Sequence, residues 1–256
     1  MKFSEQLVIA ISNPKRYKDI LKLSRRSFVK YVIITVLLLS TITFVIPGAA
    51  TITGFGGFEK LFETNLKTFK YEKGVASLDK VFKMNINGTT VIIDTSEKEV
   101  SAKQMKNDGT YIAISSERVI VASSVSGNVV KVADYRLYDF FPFDIDKDRL
   151  IQFIPAIYMY LALTFLMKGV FYFAEYAFYA LFLAIILNIM RKNHSYNISY
   201  KSLFVICFLA QTLMMFVNAI NEAVAIAPSY IVNLIGLFYT VRMATIGVLS
   251  TVESSK

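Results

Sequence analysis

Residues 31–58 contain no charged side chain, and this uncharged run constrains the chain more than any other feature. A helix needs about 20 apolar residues to cross the hydrocarbon core of a bilayer, and segment 28–50 is long enough. The whole chain is 55% hydrophobic with a mean hydropathy of +0.49, which is high for a soluble domain of this size. The run therefore predicts a first transmembrane helix over residues 28–50.

More apolar runs lie in the second half of the chain. The run over 150–190 is interrupted only by Lys168, Gly169 and Glu175. As one helix it would be about 60 Å long, twice the thickness of the hydrocarbon core, so we expect a break at Lys168-Gly169. The predicted transmembrane helices are then 28–50, 150–168, 170–190, 202–221 and 223–242, followed by a tail over 243–256.

An alternative with four spans stays open. Five spans place the C-terminus outside the cell together with Arg191, Lys192 and Lys201, whereas basic loops usually stay in the cytoplasm. In the four-span alternative, residues 150–190 hold one crossing and a re-entrant or surface segment. We favour five spans because both halves of this run have the length of a natural span.

The N-terminal segment 1–27 is basic and partly amphipathic. Residues 1–30 contain eight Lys and Arg residues against two acidic ones. Phe3, Leu7 and Ile11 recur at helical spacing, which predicts a short helix on the membrane surface. Basic residues before a span indicate a cytoplasmic N-terminus and contact with anionic lipid headgroups of the bilayer. A cleavable signal peptide has a much shorter charged region, so we expect an uncleaved anchor.

Residues 51–149 are rich in charged side chains, unlike the apolar runs on either side, and we expect them to form a folded domain outside the cytoplasm. They hold fourteen basic and fourteen acidic side chains, so the domain has no basic stripe and nucleic-acid binding is not expected. Helical spacing of apolar residues predicts a helix over 58–69, and a capping box opens another over 96–106. Strands are predicted over 82–86, 89–93, 111–114, 119–125 and 129–135, with turns at Asn87-Gly88, Asn107-Asp108-Gly109 and Ser126-Gly127-Asn128.

Eight polar side chains inside the predicted spans or at the turn between the last two are the candidate functional residues. A charged group in hydrocarbon is costly and usually faces a partner, water or a substrate path. The eight are Lys168, Glu175, Asn188, Gln211, Asn218, Glu222, Asn233 and Arg242.

Hydrogen bonding between helices is the interpretation that we favour for these residues and for Asn221. Lys168 and Glu175 are seven residues apart on one helix face and could pair. Glu222 lies at a predicted turn, where it would be hydrated, and Arg242 would end the last span by reaching the headgroups. Two alternatives stay open, namely a path for a solute or ion and a pocket for a lipid headgroup.

Motifs of catalysis and cofactor binding are absent from the sequence. It has no Gly-rich phosphate loop, no Gly-x-Ser-x-Gly turn and no His-Glu-x-x-His pair. Cys207 and His194 are the only residues of their types, so neither a disulfide nor a usual zinc site is expected. Asp144, Asp146 and Asp148 alternate like cation ligands, but we expect them to cap the following helix. The prediction is a protein without enzymatic activity, cofactor or metal.

Several short motifs occur in a particular order along the chain. They are Asn13-Pro14-Lys15 before the basic stretch, Val-Ile-Ile-Asp-Thr at 91–95, Gly-Thr-Tyr-Ile at 109–112 followed by Ser-Glu-Arg-Val-Ile at 116–120, and Ser-Tyr-Lys-Ser-Leu-Phe at 199–204. In these features the chain resembles a family of Firmicute membrane proteins classed as domain of unknown function 1189, some of which are labelled maltodextrin-utilisation proteins.

The resemblance implies a bacterial plasma-membrane location and a Yip1-like bundle of about five helices, but it implies no reaction. Members of the family often have a proline shortly after the Tyr-Lys-x-x-Phe motif that opens the fourth span. Residues 207–212 contain none, so the helix break that this proline would impose is not expected here.

Together these features predict a membrane α-helical bundle with an inserted small extracytoplasmic α+β domain. Its function would be that of a non-enzymatic scaffold, sensor or accessory protein, with another membrane protein as partner and a link to carbohydrate utilisation from the family label alone. The alternative is a small transporter of a solute or ion. A transporter needs the polar groups to converge on one cavity, a scaffold needs them paired between helices, and a sensor needs a pocket or apolar patch on its outer domain.

Overall fold

Two compact units make up the structure, a computed structural model that describes residues 1–86, 89–98, 104–105, 107–125, 128–193, 198–224 and 226–253. The helical unit comprises Met1–Val45 and Leu163–Lys256, and the α/β unit comprises Ile46–Ala162. Each unit has its own core of buried apolar side chains.

The helices and strands follow one another in three groups. The N-terminal group contains α1 (Phe3–Ser12), a 3₁₀ turn (Pro14–Arg16), α2 (Tyr17–Leu21), α3 (Arg25–Ser40), a π-helical turn (Thr41–Val45), α4 (Ile46–Gly54) and α5 (Phe58–Asn65). The middle group contains β1 (Lys70–Glu72), β2 (Val75–Ser77), β3 (Phe82–Ile86), β4 (Thr89–Ile93), β5 (Gly109–Ile114), β6 (Arg118–Val125), β7 (Asn128–Arg136), α6 (Leu137–Phe140), β8 (Ile145–Asp146) and α7 (Lys147–Gln152). The C-terminal group contains α8 (Ile154–Asn193), α9 (Tyr200–Ala210), α10 (Thr212–Val224) and α11 (Ser229–Glu253).

Four helices in the described part of the chain are long and apolar enough to cross a membrane. They are Arg25–Gly54, Ile154–Ile189, Tyr200–Val224 and Ser229–Glu253. The predicted break at Lys168-Gly169 is wrong, because α8 continues through both residues. The structure therefore has four helices of spanning length where the sequence predicts five.

Gly169 stays helical because it lies where two helices approach each other closely. A Cβ atom at this position would lie 3.4 Å from Ser40 Oγ and 3.4 Å from Val36 Cγ1. Small residues at such contacts let helix backbones approach, and a glycine inside a helix costs only about 1 kcal/mol relative to alanine. One continuous helix is therefore compatible with the Lys-Gly pair.

The last predicted span and the tail differ from the observed helices. α11 begins at Ser229, directly after Pro228, so the predicted span 223–242 starts several residues before its helix does. Proline suits the position before a helix because its missing N–H is not needed there. α11 then continues to Glu253 and includes most of the predicted tail 243–256.

An interruption at Gln211 separates α9 from α10, although no proline is present. The Gln211 side chain donates from Nε2 to the carbonyl oxygen of Cys207 at 3.1 Å and to that of Tyr176 at 3.4 Å. A side chain that competes for carbonyls of its own helix is a known cause of local irregularity. The irregularity is one residue long and Gln211 keeps right-handed helical φ and ψ angles, so Tyr200–Val224 remains one long helix without the break that a proline would impose.

α8 buries one face within the helical unit and exposes the rest. Its buried residues recur every three or four positions: Gly169, Tyr172, Tyr176, Ala180, Leu183, Ala184 and Leu187. Between them lie large apolar side chains that are mostly exposed, such as Phe171 (65%), Phe178 (66%) and Phe182 (59%). An apolar face this long is unfavourable in water and suits a lipid environment, which fits a membrane protein.

The N-terminal segment packs against the helices of its own unit. Ile9, Ala10 and Tyr17 are almost completely buried, and Tyr17 donates its hydroxyl to the carbonyl oxygen of Ala10 at 2.8 Å. Burial raises the pKa of Tyr17 above its ordinary value. The Tyr239 hydroxyl of α11 donates to the carbonyl oxygen of Ile11 at 2.6 Å. α1 is thus a helix as predicted, with its fully buried residues turned toward protein.

The predicted membrane-facing side of α1 is only partly buried in this packing. Phe3 and Leu7 are partly buried against the core of the helical unit, whereas Val8 is 61% exposed. Contact of this helix with the membrane surface stays a prediction.

Two sheets form the α/β unit. The five-stranded sheet has the order β3-β4-β5-β6-β7, in which β4 and β5 are parallel and the other neighbours are antiparallel. The three-stranded sheet has the order β2-β1-β8. All five predicted strands are present in the larger sheet, with shifts of one or two residues at three of them.

The smaller sheet is absent from the sequence-based prediction because its strands are only two or three residues long. β1 and β2 are joined by Lys73-Gly74, whose φ angles are 50° and 87°. Two consecutive positive φ angles define the tight hairpin turn that suits the twist of a strand pair, and glycine adopts them without strain. The predicted turns at Asn87-Gly88 and Ser126-Gly127 and most of the predicted helix 96–106 lie outside the described residues.

Buried residues at every second position along the central strands form the core of the larger sheet. Ile92, Ala113, Ile120 and Ala122 are completely buried. Side chains point alternately to opposite faces of a strand, so these residues lie on one face and pack under it with Tyr111. A second cluster joins α5 to the sheet through Leu61, Phe62, Phe82 and Ile93.

The stability of the α/β unit should depend on pH through one carboxylate. The side chains of Ser96 (Oγ, 2.6 Å) and Gln104 (Nε2, 2.5 Å) donate hydrogen bonds to Asp94 and hold its pKa below the ordinary value. The pKa of Asp94 is lower in the folded state than in the unfolded state, so the ionised side chain stabilises the fold. This stabilisation is complete above about pH 5 and is lost as the pH falls through the folded-state pKa, below about 4.

We therefore expect the unfolding midpoint of the full chain in detergent to fall when the pH is lowered from 5 to 3, measured by circular dichroism. Asp94→Asn should be less stable at pH 7 by about 1–2 kcal/mol and should lose less on acidification. Equal acid sensitivity of Asp94→Asn and the unchanged chain contradicts this assignment.

Candidate functional site: the polar side chains of the helical unit

Lys168 pairs with Glu222 across two helices of the helical unit. Lys168 Nζ lies 2.5 Å from Glu222 Oε1, and the Tyr172 hydroxyl donates to Glu222 Oε2 at 2.5 Å. The ammonium group also lies 5.3 Å from the centroid of the Tyr172 ring, within the range of a cation–π contact. α8 and α10 are therefore joined by a charged hydrogen-bond cluster of three side chains.

This arrangement corrects two predictions. The ion pair of Lys168 is with Glu222 and not with Glu175, and Glu222 lies inside α10 instead of at a turn. Residues seven apart on one helix differ by about 10 Å along its axis, whereas α10 brings Glu222 beside Lys168 directly. Glu175 lies on the exposed side of α8.

The ion pair is only partly buried. The side chains of Lys168 and Glu222 are 34% and 47% exposed. Glu222 lies two residues before the end of α10, near the point where the chain turns toward α11. A charged pair close to a helix end can stay in contact with the hydrated headgroup region, which lowers the cost of its charges.

The amide side chains bond to one another and to backbone carbonyls. Asn218 of α10 donates from Nδ2 to Asn233 Oδ1 of α11 at 3.0 Å. Gln211 links α9 to α8 through its bond to the carbonyl oxygen of Tyr176. Asn221 closes the turn after α10, because its amide both donates to the carbonyl oxygen of Ala227 and accepts from its N–H, each at 2.9 Å. For Asn218, Asn233 and Gln211, the predicted bonds between helices are confirmed.

Three of the eight candidates, Glu175, Asn188 and Arg242, do not join this set of contacts. Asn188 Oδ1 is buried and has no hydrogen-bond partner among the residues that the structure describes. Arg242 is exposed on α11. The prediction that it ends the last span is wrong, because α11 continues to Glu253, and the contact of Arg242 with headgroups stays a prediction.

Another polar contact between helices was not evident from the sequence. The hydroxyls of Tyr31 on α3 and Thr212 on α10 lie 2.8 Å apart, and both residues are almost completely buried. Tyrosine and threonine are common in apolar runs, so nothing in the sequence separates this pair from lipid-facing residues. Only the packing of the two helices shows it.

A groove lies on one face of α3 and is lined by none of the eight candidates. It has a volume of about 510 Å³ and is lined by Arg25, Arg26, Val29, Lys30, Ile33 and Ile34. Counted from Arg25, the other five residues lie one, four, five, eight and nine positions further along the chain, which places all six on one stripe of the helix. Arg25 and Arg26 therefore lie at one end of the groove, Lys30 lies beside Val29 one turn further on, and Ile33 and Ile34 continue it.

Within the described residues, no group of three or more His, Cys, Asp or Glu side chains is placed to hold a metal ion. His194 lies outside the described residues, and Cys207 is completely buried in α9. Of the three alternating aspartates, Asp146 caps α7 by accepting from the N–H of Arg149 at 2.9 Å, so the capping prediction is confirmed for it. Asp144 instead accepts from the N–H of Lys73 at 2.9 Å.

A family model described as "Protein of unknown function (DUF1189)" matches residues 4–246. The match covers both units and all eight candidate residues. No curated protein and no solved structure matches the chain.

Proposed function

Because the chain belongs to the DUF1189 family of proteins of unknown function, we propose its role from its own contacts. The proposed role is that of a non-enzymatic scaffold or accessory protein in the bacterial plasma membrane. Its N-terminus lies in the cytoplasm, residues 51–149 lie outside, and the outer domain binds another membrane protein.

The pairing of the polar side chains in the helical unit carries this proposal. Lys168 and Glu222 bond to each other, and Asn218 bonds to Asn233. A transport path needs such groups free to replace the hydration shell of a solute, so they would line a shared cavity. Here they tie helices together, which suits an anchor of fixed geometry.

Exposed aromatic side chains on the α/β unit support the binding of a partner. We call Tyr135, Tyr138, Phe140 and Phe141 the aromatic patch. Their exposed fractions are 48%, 60%, 52% and 38%. The rings of Tyr135 and Phe140 meet edge to face at 5.2 Å, and those of Phe140 and Phe141 lie 6.5 Å apart. Large exposed aromatic groups in contact are typical of protein-binding surfaces.

The proposal is tested by purifying the full chain from membranes in a mild detergent and quantifying co-purified proteins. The test variant is Tyr138→Ser with Phe140→Ser, and the control is Val75→Ser with Val81→Ser, which removes apolar groups that are 47% and 51% exposed. We expect one partner in constant ratio with the unchanged chain and the control, and its loss from the test variant.

Two outcomes overturn the proposal. One is the absence of any partner in constant ratio to the unchanged chain. The other is uptake of a solute by vesicles that contain the purified chain alone, lost in Lys168→Met, which would favour the transporter alternative.

A further inference from the structure

The groove on α3 combines two chemistries on one helical stripe. Arg25 and Arg26 are exposed at its start, and Lys30 is exposed one turn further on. Val29 and Ile33 are apolar side chains that are 45% and 52% exposed. α3 also begins the first of the four helices that are long enough to span a membrane. Cationic groups thus precede an open apolar surface in the direction in which the helix would enter the bilayer.

The three cations have no ion-pair partner among the residues that the structure describes. In the part of the chain that the structure describes, the ion pairs of the N-terminal segment join Arg16 to Glu5 and to Asp19, and none involves Arg25, Arg26 or Lys30. Positive charge in the first turn of a helix opposes the helix dipole, so Arg25 and Arg26 are unfavourable there for folding alone. An anion at this position would be attracted both by the side chains and by the helix N-terminus.

We propose that this groove is a binding site for one anionic phospholipid of the cytoplasmic leaflet. The headgroup phosphate contacts Arg25, Arg26 and Lys30, and an acyl chain lies along Val29, Ile33 and Ile34. The inference rests on the proposed function for the membrane location and the cytoplasmic N-terminus. The inference also goes further than a general attraction between the basic segment and anionic lipid, because it assigns one defined binding site.

The composition of the groove selects a lipid over other phosphate ligands. A free phosphate or a sugar phosphate would contact only the cations, whereas a phospholipid contacts both the cations and the apolar side chains of Val29 and Ile33. Orientation of the chain in the membrane needs only basic residues near the span, and Lys15, Lys18 and Lys22, which do not line this groove, already satisfy that need. An amphiphile with a negative headgroup matches both parts of the site.

The test measures binding of fluorescent phosphatidylglycerol to the purified full chain in non-ionic detergent micelles, with phosphatidylcholine as competitor. The groove variant carries Arg25→Gln, Arg26→Gln and Lys30→Gln. The matched control carries Lys15→Gln, Lys18→Gln and Lys22→Gln, so both variants lose three positive charges from the same segment. Thermal unfolding of each variant confirms that its fold is kept.

We expect the groove variant to bind phosphatidylglycerol on the order of 10–100-fold more weakly, because it loses three direct charge contacts. The control should change by less than about threefold, because Lys15, Lys18 and Lys22 do not line the groove and exposed charges without a direct contact contribute little. Val29→Ser with Ile33→Ser should also weaken binding, while glycerol phosphate should not displace the lipid.

An equal loss of phosphatidylglycerol binding in both charge variants overturns the proposal of a discrete site but does not affect the proposed scaffold role. Displacement by glycerol phosphate, or unchanged binding in Val29→Ser with Ile33→Ser, shows that the apolar part takes no acyl chain and also overturns the site. A failure of the membrane location, the part of the proposed function on which the site rests, gives a different result, because the unchanged chain would then not be retained in the membrane fraction.

Discussion

Gly247→Ala should loosen the N-terminal segment from the helical unit and lower the free energy of unfolding by about 1–3 kcal/mol. A Cβ atom at this position would lie 2.5 Å from Tyr17 Cδ2 and 3.1 Å from Ile206 Cγ2. Tyr17 and Ile206 are both completely buried, so neither has space to move away. The ring of Tyr17 must therefore shift, and with it the hydrogen bond to Ala10.

Gly236→Ala is the matched control for this substitution. Its Cβ would also meet an atom at 2.5 Å, but that atom is Cε of Met214, the far end of a flexible side chain. Methionine changes rotamer at low cost, and alanine is favoured over glycine in a helix by about 1 kcal/mol. We therefore expect Gly236→Ala to be neutral or slightly stabilising.

The two variants are compared by thermal unfolding in detergent and by protease cleavage near residues 13–24. Faster cleavage in Gly247→Ala but not in Gly236→Ala is the expected pattern. If both variants unfold at the same temperature as the unchanged chain, the close packing of Tyr17 on Gly247 is contradicted.

Removing one partner of the Lys168–Glu222 pair should destabilise the helical unit more than removing both. Lys168→Met leaves the Glu222 carboxylate with the Tyr172 hydroxyl but without its cation, and Glu222→Met leaves an unpaired ammonium group. Breaking a fully buried pair costs about 3–5 kcal/mol, but these side chains are 34% and 47% exposed, so we expect about 1–2 kcal/mol.

The double variant with methionine at both positions should recover most of this loss, because no charge is left without a partner. Glu175→Gln, on the exposed side of the same helix, is the control and should change stability by less than about 0.5 kcal/mol. The measurement is the unfolding midpoint in detergent for the four variants. Additive losses in the double variant mean that the two charges do not depend on each other, contrary to the structure.

The candidate residues show which parts of the site were readable from the sequence. Charged and amide groups inside apolar runs stand out against their neighbours, so all eight could be named. Their partners could not, because Glu222 is 54 positions from Lys168 and no local spacing relates the two. The predicted partner, Glu175, was the nearest acid along the chain and not the nearest in space.

The same distinction holds for elements of the fold. Alternation of apolar residues predicted β3 to β7, because a strand with one buried face shows it along its own length. The groove on α3 is not evident from the sequence, because the charges of Arg25 and Arg26 alone indicate only a basic segment. Its function depends on their position above exposed apolar side chains, which the burial of the other face of α3 establishes.

By itself, the sequence determined which segments avoid water, where the charge excess lies and how the strands alternate. Each of these is a property of neighbouring residues, and the free energy of transferring a segment out of water depends on that segment alone. The tertiary structure decided that Lys168-Gly169 continues one helix, that Glu222 neutralises Lys168 and that Gly247 accommodates Tyr17. Those outcomes depend on contacts between distant parts of the chain, and such contacts form only when the helices pack together.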